Sequence, residues 1–112
     1  MLEIKRLDDA AVLATVDTDT LAGSDLREMN LERADLRGAD LSNARLDGSN
    51  LVQADLRAAN LQGASLRRAH LERALLNEAD LQGSRLGSNV PTNAAVLNSA
   101  DLSGADLTRA PN

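Results

Sequence analysis

The sequence of 112 residues contains no cysteine, phenylalanine, tyrosine or tryptophan, and these absences exclude several kinds of site and core. Without cysteine there are no disulfides, thiolate metal sites or cysteine nucleophiles. Without aromatic side chains the interior must be built from Leu, Ala and Val, which requires an architecture that fills space with many small, similar layers. The composition therefore favours a repeat protein over a globule with one large core.

Long apolar runs are also missing. The longest covers residues 10–14, far short of the roughly 18 residues that span a bilayer, and no positively charged segment precedes it. We therefore expect a cytoplasmic protein with no membrane partner. The formal net charge of -5 also disfavours a nucleic-acid partner, because neutralising phosphates requires an excess of Lys and Arg.

Leucine recurs at every fifth position from 21 to 86 without a gap. In an α-helix, a step of five residues rotates the side chain by a net angle of about 140°, so these leucines would share no face. A flat strand would send alternate leucines to opposite sides. All of them point inward if the chain turns after each five residues, so that four pentapeptides close a square coil. The expected core consists of Leu21, Leu26, Leu31, Leu36, Leu41, Leu46, Leu51, Leu56, Leu61, Leu66, Leu71, Leu76, Leu81, Leu86, Leu97, Leu102 and Leu107.

From Leu26 onward a small residue, mostly Ala, stands two positions before each leucine of the series except Leu31, where the residue is Met29, and the residue between them is often Asp or Asn. Triplets such as Ala34-Asp35-Leu36, Ala54-Asp55-Leu56 and Ala79-Asp80-Leu81 resemble the pentapeptide-repeat family, whose consensus is A(D/N)LXX. The resemblance covers roughly residues 19–110. The resemblance implies an all-β fold, namely a right-handed quadrilateral parallel β-helix that is often dimeric. The family also includes members that bind DNA gyrase by imitating DNA.

The leucine phase shifts by one residue after Leu86. We interpret 87–89 as a corner that carries the extra residue, and we expect about 4.5 coils over residues 19–112. Residues 1–18 lack the repeat, and we predict a capping hairpin with strands at Leu2–Leu7 and Ala11–Val16. A short helix over residues 8–16 is the alternative. No capping segment follows the last repeats, so we expect the C-terminal coil to be the site of any homodimer.

The stacked repeats distribute charge unevenly around the coil. Asp40, Asn60, Asp80 and Asp101 fall on a face without Lys or Arg, which we take as a candidate surface for an unidentified protein partner. The next face carries Asp25, Arg45, Ser65 and Arg85. Leu75 and Val96 occupy outward positions on successive coils and form a second candidate contact patch.

The sequence pattern indicates no catalytic or metal-binding site. Leu and Ala fill the interior, and no insertion is long enough to wall a pocket. The only histidine, His70, points outward, so we expect no catalytic residue, no cofactor and no metal site. Asp35 and Asp55 stack and could in principle hold Ca²⁺, but Arg37 and Arg57 beside them favour charge compensation. We therefore expect a non-enzymatic interaction or structural module, with a DNA-mimicking modulator of a type II topoisomerase as the alternative.

Overall fold

The computed structural model describes residues 1–86 together with residues 101 and 103. Its strands are β1 (Leu2–Arg6), β2 (Val12–Val16) and β3 (Ala34–Asp35), which form one sheet in the order β2-β1-β3. The described residues contain no helix. The fold is therefore all-β, as the leucine spacing predicts.

The first eighteen residues contain an antiparallel hairpin. β1 pairs with β2, with Leu2 opposite Val16 and an irregularity after Ile4. The guanidinium of Arg6 closes the turn by donating two hydrogen bonds to the Asp9 carboxylate, at 3.0 and 2.7 Å. The alternative of a helix over residues 8–16 is wrong, because residues 12–16 are extended and pair with β1.

The hairpin joins the repeats through β1. Lys5 lies opposite Asp35 in an antiparallel pair with β3, and the backbone N–H of Leu7 donates to the carbonyl of Arg33 at 2.8 Å. The side chain of Ile4 is 1% exposed and belongs to the same apolar core as the leucines. The hairpin therefore covers one edge of the first coil and contributes to the core.

In the described repeats, residues twenty apart are joined by parallel bridges, beginning with Asp25 and Arg45, and the bridge from Asp80 to Asp101 spans one residue more. Each bridge consists of two hydrogen bonds. At the first one, the N–H of Leu26 donates to the carbonyl of Arg45 at 2.8 Å, and the N–H of Arg45 donates to the carbonyl of Ser24 at 2.9 Å. Successive layers of the repeats therefore hydrogen-bond to one another as the layers of a β-solenoid do.

The repeat leucines form the core. Every leucine of the series from Leu21 to Leu86 is at most 4% exposed, and Ala34, Ala54 and Ala74 at the small inward positions are fully buried. Leu97, Leu102 and Leu107 lie outside the described residues, as do the phase break and the C-terminal coil. The interior of the described part is therefore filled by Leu and Ala side chains.

Each change of direction is a tight turn. The N–H of the third residue after a leucine donates back to that leucine, as from Ala59 to Leu56 at 3.0 Å. The second residue after the leucine has a positive φ, 62° at Ala58, and the thirteen such positions from Gly23 to Gly83 have φ between 58° and 71°. This is the geometry of a type II turn. Only five of the thirteen are glycine, so most turns hold an L-residue in a strained conformation.

Candidate interaction surface

The Asp or Asn before each leucine has a structural role besides lying at the surface. A side-chain oxygen accepts a hydrogen bond from the backbone N–H two residues on, as from Arg57 to Asp55 at 3.2 Å and from Val52 to Asn50 at 3.1 Å. This local bond satisfies an N–H that makes no backbone bond within the coil. The same contact recurs at Asp25, Asn30, Asp35, Asp40, Asn60, Asp80 and Asp101.

The candidate partner residues Asp40, Asn60, Asp80 and Asp101 are joined by successive parallel bridges, and we call them the acidic column. Asp40 is exposed and the other three are half-buried. Both the backbone N–H of Ser42, at 3.1 Å, and its hydroxyl, at 2.7 Å, donate to Asp40. The structure therefore brings these predicted residues together on one surface.

Side-chain amides connect the acidic column from coil to coil. Gln62 donates to the carboxylate of Asp80, and Gln82 donates to the carboxylate of Asp101 at 2.6 Å. A shallow groove runs beside the column, lined by Ser42, Asn43, Asn60, Gln62, Gly63, Gln82, Gly83 and Ser103. The groove is open at Gly83, where a Cβ would meet no other atom, whereas the side chain of Asn43 lies over Gly63.

Hydrogen bonds, and not a cationic partner, stabilise the charged forms of Asp40 and Asp101 in the acidic column. The hydroxyl and then the backbone N–H of Ser42 lower the pKa of Asp40. The backbone N–H of Ser103 and then the amide of Gln82 lower the pKa of Asp101. Among the described residues no Lys or Arg forms an ion pair with these carboxylates or with Asp80. The column therefore keeps a negative potential that the fold does not neutralise.

Asp35 and Asp55 form a second column in which every charge is compensated. Arg37 donates to Asp35 at 2.9 Å, and Arg57 donates to Asp55 at 2.6 Å. Asp55 is only 3% exposed, although its repeat position predicts a solvent-facing side chain. The side-chain hydrogen bonds from Arg37 and Arg57 lower the pKa of both carboxyl groups. Within the described residues, no three His, Asp or Glu side chains gather as a metal site would require.

Leu75 continues this column above Asp55. Leu75 is half-buried, and the large apolar side chains that are exposed in the described part of the chain are those of Met1, Leu7 and Val12. Its predicted neighbour Val96 lies outside the described residues. The second candidate patch therefore has less apolar surface at Leu75 than its position suggested.

The next column consists of Asp25, Arg45, Ser65 and Arg85, again joined by parallel bridges. Asp25 is paired with Arg27 at 2.8 Å, whereas Arg45 and Arg85 are exposed and form no ion pair within the described part of the chain. We call Arg45, Ser65 and Arg85 the basic column.

Ser65 shows how a departure from the consensus is compensated. A serine at this position cannot make the usual carboxylate contact to the N–H two residues on. Asp47 of the preceding coil supplies the acceptor instead, since its carboxylate receives the Ser65 hydroxyl and the backbone N–H of Arg67, the latter at 3.0 Å. The sequence gives no signal that Asp47 replaces the usual acceptor, because this contact depends on which residues are stacked.

The sequence model that describes pentapeptide repeats matches residues 20–53 and again residues 54–87. The chain belongs to the pentapeptide-repeat family. Among curated proteins there is no significant match to the chain.

Solved structures of pentapeptide-repeat proteins are similar to it. One from Nostoc PCC 7120 is 38% identical with a TM-score of 0.56 and matches over 74% of this chain and 64% of its own. One from the thylakoid lumen of Arabidopsis thaliana is 26% identical with a TM-score of 0.59, over 77% of this chain and 59% of its own. This pentapeptide-repeat protein therefore spans less than two thirds of either relative. None of its described residues forms a helix of the length and apolarity needed to cross a bilayer.

Proposed function

We propose that this pentapeptide-repeat protein is a non-enzymatic interaction module that presents the acidic column to a basic surface of a protein partner. The observation that carries the proposal is a contrast between columns. Asp25, Asp35 and Asp55 are each neutralised by an arginine two residues on, whereas Ser or Gln occupies that position after Asp40, Asn60, Asp80 and Asp101. Uncompensated charge at regular spacing favours electrostatic recognition.

The framework that we propose for this surface is a right-handed, four-sided coil of about 4.5 turns. It is supported by bridges between residues twenty apart and by a tight turn in each pentapeptide. A core in which the side chains interlock and the backbone is hydrogen-bonded in both directions holds the columns at fixed spacing. A rigid surface loses little conformational entropy on binding, which suits a scaffold.

The topoisomerase alternative gains no support from the charge distribution. A DNA mimic requires a dense array of negative charge, and arginines compensate the carboxylates of Asp25, Asp35 and Asp55. A gyrase supercoiling assay separates the two functions, because a mimic inhibits or protects the enzyme and a scaffold leaves supercoiling unchanged.

The proposal is tested by removing the charge of the acidic column while keeping its structural hydrogen bonds. In Asp40→Asn/Asp80→Asn the remaining carbonyl oxygen still accepts the backbone N–H, as Asn50 and Asn60 do. The matched control is Glu28→Gln/Glu78→Gln, which removes two charges from exposed turn positions. We expect quantitative affinity enrichment after cross-linking to recover partners with the wild type and the control, and to recover much less with the column variant. Equal recovery by all three would contradict the proposal.

A further inference from the structure

The acidic and basic columns carry complementary charge patterns over three successive coils. Asp40, Asn60 and Asp80 present negative, neutral and negative groups, whereas Arg45, Ser65 and Arg85 present positive, neutral and positive groups. No ion pair within the described residues uses any of these four charges. The chain therefore carries two charged surfaces that match each other.

The spacing of the two patterns is the same because both follow the coil. Asp40 and Asp80 are two coils apart, and so are Arg45 and Arg85. The columns are offset along the chain by one pentapeptide, which is a quarter of a coil. At about 4.8 Å between neighbouring strands this offset is about 1.2 Å, and flexible arginine side chains accommodate it.

We propose that a second copy of this chain packs side by side and parallel, with its basic column against the acidic column of the first. Arg45 and Arg85 of one copy then pair with Asp40 and Asp80 of the other, and Ser65 lies opposite Asn60. The inference rests on the proposed function, because it names the partner of the acidic column.

A second copy fits this surface better than an unrelated basic protein. An irregular surface has no reason to repeat its charges at two-coil intervals, whereas another copy does so in register. Contact between like columns is repulsive, since it places carboxylate against carboxylate or guanidinium against guanidinium. The contact is therefore heterologous, and successive copies form a closed ring or an open row.

Charge reversal tests the contact directly. The first variant is Asp40→Arg/Asp80→Arg, which is compatible with the fold because Arg45 and Arg85 already occupy the same position of the repeat. The second is Arg45→Asp/Arg85→Asp, which restores the family consensus there. The matched controls Glu28→Arg/Glu78→Arg and Arg68→Asp/Arg73→Asp make the same charge changes at exposed turn positions. Circular dichroism and the urea midpoint check that each variant is folded.

The assay is sedimentation velocity with interference detection at about 20 mM and about 500 mM salt, because high salt screens surface charges. We expect the wild type and both controls to associate at low salt and to dissociate at high salt. Each reversed variant alone weakens association by about tenfold or more, since two attractive contacts become repulsive. Mixing the two reversed variants, or combining all four changes in one chain, restores association.

The inference would be overturned by a wild type that stays monomeric at low salt, or by association that neither reversed variant changes. Association that is insensitive to salt and is abolished by Leu107→Lys would also overturn it and place the contact at the C-terminal coil. A monomeric wild type that still recovers other proteins through Asp40 and Asp80 would refute self-association and leave the proposed function standing.

Discussion

Two neighbouring alanines provide a test of the turn geometry, because the same substitution should have opposite effects at each. Ala58 is exposed and has a φ of 62°, whereas Ala59 is 1% exposed and belongs to the core. An L-residue in the left-handed region costs about 1–2 kcal/mol, and the extra freedom of glycine in the unfolded chain costs about 0.5–1 kcal/mol. We therefore expect Ala58→Gly to raise the free energy of unfolding by roughly 0.5–1 kcal/mol.

Ala59→Gly is the matched control and should lower that free energy. It removes a buried methyl group, worth about 0.8 kcal/mol, and adds the same glycine entropy cost of about 0.5–1 kcal/mol. The two variants should therefore differ by about 2 kcal/mol. The two residues are neighbours in the chain, so they report on the same cooperative unit.

Urea unfolding followed by far-ultraviolet circular dichroism measures the difference, since the protein has no aromatic fluorophore. The slopes of the transitions should agree, so that the midpoints can be compared. If Ala58→Gly destabilises the protein as much as Ala59→Gly does, the left-handed turns are not strained and the reasoning fails.

Three further predictions concern the core and the charged columns. Leu56→Ala should lower the free energy of unfolding by about 2–5 kcal/mol, because Leu56 is fully buried, whereas Leu7→Ala at an exposed position should change it little in the same urea assay. Ser49→Ala should cost about 1 kcal/mol because its hydroxyl donates to Leu46 at 2.7 Å. Ser84→Ala should be neutral or stabilising, since the buried Ser84 hydroxyl has no hydrogen-bond partner among the residues that the structure describes; equal losses would refute this. Arg57 lowers the pKa of Asp55 in the folded state, so the stability from this pair should be full above the unfolded value of about 3.9 and should fall as the pH drops through the lower folded pKa. Thermal melts from pH 6 to pH 2 should show a smaller loss in Asp55→Asn than in the wild type, and parallel curves would contradict the assignment.

The core could be predicted from sequence because a single periodicity determines it. Leucine at every fifth position is incompatible with a helix or a flat strand, so only a coil buries Leu26, Leu56 and Leu86 alike. The extended character of residues 12–16 could be predicted because the short apolar stretch Ala11–Val16 follows the turn-forming pair Asp8-Asp9.

The left-handed turns could not be predicted in the same way, because most of these positions hold Glu, Arg, Asn, Gln or Ala and only the glycines gave a signal. The role of the Asp and Asn residues was also missed. From composition alone we expect them to be polar surface groups. In the structure their side-chain oxygens also accept a hydrogen bond from a backbone N–H. The burial of Asp55 and the contact of Asp47 with Ser65 depend on side chains twenty or so residues away, which no local pattern reveals.

The interval of twenty residues between bridged positions constrains how this chain can change length during evolution. Duplicating twenty residues adds one coil and leaves every later residue in its own column. Duplicating only five keeps the leucines inside but moves every later residue to the neighbouring column, so that an insertion after Leu61 would place Asp80 where Arg85 now stands. Selection on the core alone tolerates both events, whereas selection on the surface tolerates only the first. Lengths that differ by whole coils among close relatives would therefore indicate that the columns, and not only the fold, are under selection.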